Sequence, residues 1–98
     1  MEALRSNNKL YVYLKYAGHI AFLVGRPREA FPVDKGDKIS DLLLKLDKYY
    51  PGIKEIFMPS GGTFNSKTGI FIRRINQPTF SVIDKNEEIV EGDIITLW

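Results

Sequence analysis

The chain has 98 residues, a formal net charge of +2, 44% hydrophobic and 27% charged side chains, the composition of one soluble globular domain. It contains no cysteine, which excludes a disulfide framework, a thiolate metal site and a cysteine nucleophile together. The cations are too few and too scattered for a nucleic-acid binder. No apolar stretch approaches the ~20 residues of a membrane span, and Met1 to Asn8 lacks a signal-peptide core. A cytoplasmic protein without nucleic-acid or membrane partners is expected, its residues 1–8 forming a flexible N-terminus.

Residues 10–16, LYVYLKY, alternate and are rich in β-branched and aromatic types, the pattern of a half-buried strand. The segment AGHIAFLVGRP that follows reads as a compact connection with about one helical turn. REAFPVD, residues 28–34, is a second strand, and Pro32 within it argues for an edge position or an irregular strand end. Ile39, Leu42, Leu43, Leu46 and Tyr50 share one helical face, which predicts a helix from about 39 to 50. Asp37 or Ser40 are its possible caps, and Pro51-Gly52 ends it.

Ile53 to Met58 can form a further helical turn, and PSGGTFNSKTG, residues 59–69, has the composition of a mobile loop. Gly69 to Ile75 reads as a strand, Thr79 to Ile83 as a short one, and Glu91-Gly92-Asp93 turns into a last strand, Ile94 to Trp98. The acidic run from Asp84 to Asp93 reads as a solvated turn balanced by surface cations. A hairpin, a helix and more strands give an α+β layer, and a ubiquitin-like β-grasp arrangement would place the first and last strands side by side in a mixed four- to five-stranded sheet.

Several landmarks carry a resemblance. The strand Val12 to Tyr16, Ala17 and His19-Ile20 in the bend, Gly25 before the second strand and Gly36 ahead of Ile39 and Leu42-Leu43 come first. Ile75-Asn76 with Pro78, and the turn Glu91-Gly92-Asp93-Ile94-Ile95, follow. In order and spacing these resemble the small subunit of molybdopterin synthase, MoaD, and its relative ThiS, the thiamine sulfur carrier, with residues 53–69 unmatched. The resemblance implies a ubiquitin-like β-grasp fold across residues 1–98. It also implies a sulfur-carrier role in molybdopterin or tungstopterin cofactor biosynthesis, with no cofactor of its own and no independent enzyme activity. The implied partners are a ubiquitin-activating-type adenylating enzyme and a larger molybdopterin-synthase-type subunit.

Carriers of this family end in a flexible Gly-Gly tail whose carboxylate is adenylated and then converted to a thiocarboxylate. The sequence ends at Trp98 without that tail. Two expectations follow: a natural chain that continues to Gly-Gly, or a relative that keeps the fold and acts as a non-conjugating interaction module. Gly61-Gly62 is the one internal diglycine, and it reads as loop, because cutting there would remove the last three strands. SGGT is not followed by the Lys-Ser/Thr of a phosphate-binding loop. His19, the sole histidine, has no partner for a triad or a zinc site in the spacing, so no catalytic, cofactor or metal residue is expected.

A partner surface is the better candidate. If Ile95 and Leu97 face the helix, alternation places Ile94, Thr96 and Trp98 on the open face of the sheet. Arg74 is expected beside them from the neighbouring strand. The parity of residues 70–75 conflicts with this unless a bulge near Arg73 intervenes. Trp98 reads equally well as an interface anchor or as a cap on the core edge.

Overall fold

The computed structural model describes residues 9–60 and 62–98. The expected N-terminal arm and Gly61 lie outside them. The chain runs through β1 (Lys9–Tyr16), α1 (Gly18–Val24), β2 (Arg28–Asp34), α2 (Ile39–Tyr49), α3 (Ile53–Phe57), β3 (Ile70–Arg73), β4 (Phe80–Ser81) and β5 (Ile94–Leu97). The strands form one mixed sheet in the order β2-β1-β5-β3-β4. β1 and β5 are parallel at its centre, with Tyr13 opposite Ile94 and Tyr16 opposite Leu97, and all other pairs are antiparallel. This is the ubiquitin-like β-grasp, as the resemblance implies.

Alternation decides which residues go where. Val12, Leu14 and Tyr16 of β1, Phe31 and Val33 of β2, Ile70 and Ile72 of β3, and Ile95 and Leu97 of β5 are buried. They meet Ile39, Leu42, Leu43 and Leu46 on one stripe of α2, together with Ile53, Phe57 and Met58. The parallel pairing needs a crossover, and the segment carrying α2 supplies it on one face only. The other face has no covering element among the described residues.

The helix starts differently from the expectation. Neither Asp37 nor Ser40 caps α2; Lys38 is in the extended cap position and donates its N–H to Oδ2 of Asp41 at 2.9 Å. The first free N–H groups, of Ile39 and Ser40, donate to the carbonyls of Glu87 and Lys85. A helix start normally solved by a side chain is thus solved by a distant turn, which ties the acidic segment to the helix. Asp37 instead accepts from the backbone N–H of Asp34 and pairs with Lys45.

The connection 17–27 is longer in helix than expected, a seven-residue α1 closed by Gly25 at φ 83°. Pro32 lies in β2, the sheet edge, as its missing N–H requires. In the loop after α3, Asn65 accepts from Lys67 N–H and donates through Nδ2 to the Ile56 carbonyl, while Phe64 packs on the core. That loop is pinned at two points its polar composition conceals.

Candidate docking face

Turning Val12, Leu14 and Tyr16 inward turns Tyr11, Tyr13 and Lys15 outward. The pairing register then builds the open face row by row. Ala30, Tyr13, Ile94 and Arg73 form one row across four strands. Arg28, Lys15, Thr96, Phe71 and Ser81 form the next across all five. Tyr11 and Tyr13 are each 53% exposed, large values for aromatic rings in the middle of a sheet. Trp98 is 48% exposed at the far end of β5, its ring stacked on Phe71 with centroids 6.3 Å apart and planes 3° from parallel.

That stack fixes the residue beneath it. Gly69 exchanges both backbone hydrogen bonds with Trp98, at 2.8 and 3.0 Å. A Cβ on Gly69 would lie 2.4 Å from the indole Nε1. Glycine is needed here for close approach, and Trp98 both lines the face and covers the sheet beside Gly69.

Of the four partner-binding candidates, the structure brings Ile94, Thr96 and Trp98 together on the open face. Arg74 does not join them. β3 pairs with β5 residue by residue without a bulge and ends at Arg73, so Ile70, Ile72 and Arg74 share the helix side while Phe71 and Arg73 face out. Arg74 donates from Nε and Nη2 to the two carboxylate oxygens of Asp93, each at 2.9 Å, and from Nη2 to the Glu88 carbonyl. The Asp93 side chain is fully buried and also accepts the Val90 N–H. The carboxylate holds the guanidinium protonated by pushing its pKa up, against the opposing effect of burial.

The β3 cation on the face is Arg73 rather than Arg74, and Tyr11, Tyr13, Lys15, Arg28 and Phe71 join it there, none of them among the expected contact residues. The signal was present: strict alternation in LYVYLKY assigns 11, 13 and 15 to one side once 12, 14 and 16 go to the other. Among the described residues, Lys15, Arg28 and Arg73 have no acidic partner. Lys15 and Arg28 lie directly opposite one another in the antiparallel register, a like-charge pair that costs about 0.2–1 kcal/mol. The acid at the corner of the face, Asp34, is held by Lys9 at 3.0 Å and Lys45 at 2.8 Å.

Nothing on the face is arranged for bond making. A compact group of titratable side chains lies on the other side, where the hydroxyls of Tyr16 and Tyr50 both donate to Oε2 of Glu29, at 2.6 and 2.7 Å. Burial, and then the Glu29 carboxylate, push the Tyr16 phenol well above its ordinary range. A phenol so held is a structural donor. His19 sits exposed on α1, and among the described residues no three His, Cys, Asp or Glu side chains group as metal ligands. Among the described residues no helix is long and apolar enough to cross a membrane.

No family model matches the sequence, and no curated protein matches it at a significant level. Solved structures do share its fold. The HVO 2177 protein of Haloferax volcanii superposes with a TM-score of 0.73 at 15% identity, over 92% of this chain and 82% of that one. A Pyrococcus furiosus protein assigned as molybdopterin converting factor, subunit 1, gives a TM-score of 0.66 at 21% identity, over 90% and 94%. The small archaeal modifier protein 1 of H. volcanii gives 0.66 at 18%, over 90% and 92%.

Proposed function

We propose that this chain is a ubiquitin-like sulfur-carrier-type protein serving molybdopterin or tungstopterin cofactor assembly, and that it docks through its open sheet face. The observation that carries this reading is the likeness in fold to the P. furiosus protein, which spans nearly all of both chains. The landmark residues of the turn Glu91 to Ile95 and of the bend at Ala17 to Ile20 support it from the sequence side. The partners on this reading are an adenylating enzyme and a larger synthase-type subunit. Ile94, Thr96, Trp98 and Arg73 contribute to the contact, while Arg74 acts through Asp93 by holding the turn that leads into β5.

The chemistry asked of such a protein is small. A terminal carboxylate attacks the α-phosphorus of ATP and releases pyrophosphate, and a sulfur nucleophile then displaces AMP. This domain supplies a rigid handle for that tail. The exit point is well suited: β5 is central, and the ladder continues through Trp98 to Gly69, so residues that follow Trp98 leave from the sheet centre beside the docking face. Glycine at the end of the tail leaves the reacting carbonyl unhindered.

A second reading, an interaction module that does not transfer sulfur, is favoured by the exposed Tyr11, Tyr13 and Trp98, since these serve docking whatever the tail does. The intact mass and carboxyl-terminal peptide of the protein isolated from its own host distinguish the two. The carrier reading expects an extension ending in Gly-Gly, part of it heavier by the replacement of one oxygen with sulfur. A product ending at Trp98 would contradict it and leave the interaction module.

A further inference from the structure

The open face has a low point. Ala30 lies opposite Tyr13, and Tyr13 lies opposite Ile94, so a methyl group sits in a row of large side chains. The result is a shallow, mostly apolar pocket of ≈ 320 Å³ between Tyr13, Ala30 and Ile94, with Lys15 and Arg28 on its rim. Leu14 and Glu29, the intervening residues, turn their side chains to the helix side, so only their backbone reaches the pocket.

We propose that this pocket is the anchor subsite of the docking face and takes one apolar side chain from an acidic segment of a partner protein. The proposal rests on the docking reading above and adds the position and chemistry of the contact. The pocket's size and apolar floor suit an aliphatic side chain. Its rim carries two neighbouring cations that no carboxylate among the described residues neutralises, and Arg73 stands at the other end of the same row as Ile94. An apolar centre with a charged rim is the usual anatomy of a protein contact, and the missing carboxylates are what the partner must bring. Single-stranded nucleic acid fits less well, because successive bases need a run of aromatic plates and this pocket offers one tyrosine ring between a methyl group and an isoleucine.

The test is an amide NMR titration of the protein with the peptide acetyl-Asp-Glu-Leu-Glu-Asp-amide. The same peptide with Ala for Leu, a Lys-Lys-Leu-Lys-Lys peptide and an oligouridylate run in parallel. The proposal predicts saturable shifts centred on Tyr13, Lys15, Arg28, Ala30 and Ile94 with the acidic leucine peptide. Affinity should fall about tenfold in Ala30→Leu, which fills the pocket by roughly the volume of the side chain it would receive, and should fall again in about 0.5 M salt. Ala30 is exposed, so the variant is expected to fold; Lys15→Glu, read the same way, provides an independent second loss. Absence of shifts at about 10 mM peptide, a ligand at the millimolar end of affinity, would overturn the proposal. Equal binding by the basic peptide or by Ala30→Leu would also overturn it. Stronger shifts with oligouridylate would replace it with a nucleic-acid site. Shifts at Phe71, Arg73 and Trp98 that spare Ala30 would retain the docking face and remove the subsite. The host mass measurement judges sulfur carriage independently of all these outcomes.

Discussion

The two faces of one sheet, built from alternate residues of the same strands, differ in how their polar groups are treated. On the helix side the buried polar groups are partnered: Arg74 holds Asp93, Glu29 receives two tyrosines and Arg26, and no buried side-chain polar atom among the described residues lacks a hydrogen bond. On the open side, Lys15, Arg28 and Arg73 have no acidic partner among the described residues, and Tyr11 and Tyr13 stand half in water. The contrast is sharpest between consecutive residues, since Arg73 and Arg74 are chemically identical and only the strand's parity separates them. Stability is concentrated where the polar groups are satisfied, and the open face contributes little of it.

Substitutions can break that contrast. The largest effect is expected from Asp93→Asn, which leaves the Arg74 guanidinium partly buried without its carboxylate. A loss of about 3–5 kcal/mol is expected, read as a drop in Tm on the order of 15 °C. Leu14→Ala should remove about 2–5 kcal/mol by opening a cavity under the central strand, whereas Lys15→Ala next to it should change stability by no more than about 0.5 kcal/mol; urea unfolding of both compares the faces within one strand. Gly69→Ala forces the indole away, so the Phe71 stack, worth about 0.5–1.5 kcal/mol, should be lost and the fluorescence of the single tryptophan should move to longer wavelength.

The smallest effect sits at the corner where the faces meet. Hydrogen bonds from Lys45 and then Lys9 pull the Asp34 carboxyl down to about 2, below its ordinary value of 3.8. A depressed carboxylate stabilises the fold at pH values above its unfolded pKa, and that contribution is lost as pH falls through the folded one. Asp34→Asn should therefore be less stable than the parent near neutrality, with the gap closing between about pH 4 and 2. A gap that stays constant down to pH 2 would show that the two lysines do not act through this charge. The side chain is half exposed, so the effect should be small and diminish with salt.

Much of this architecture was legible in the residues. Periodicity placed α2 almost to the residue, Pro32 marked β2 as an edge, and the Gly92-Asp93 turn located β5. What escaped the sequence depended on long-range geometry. The start of α2 is completed by backbone carbonyls of residues more than 40 positions away in the chain, and no capping pattern near Ile39 reveals that. Residues 70–75 give two incompatible parities, so the expectation of Arg74 on the open face needs a bulge; the conflict vanishes once the strand stops at Arg73 and a buried Asp93 is there to receive the next side chain. The tyrosines of β1 were readable from alternation alone.

The most direct test of this division of labour is thermal unfolding of Arg73→Met and Arg74→Met measured side by side. The two variants remove the same charge from adjacent positions. Arg74→Met should lower the Tm by more than about 10 °C, because Asp93 is left buried and unpaired, while Arg73→Met should stay within about 3 °C of the parent. Equal losses, or a larger loss at Arg73, would contradict the account, since the open face would then be holding the fold together.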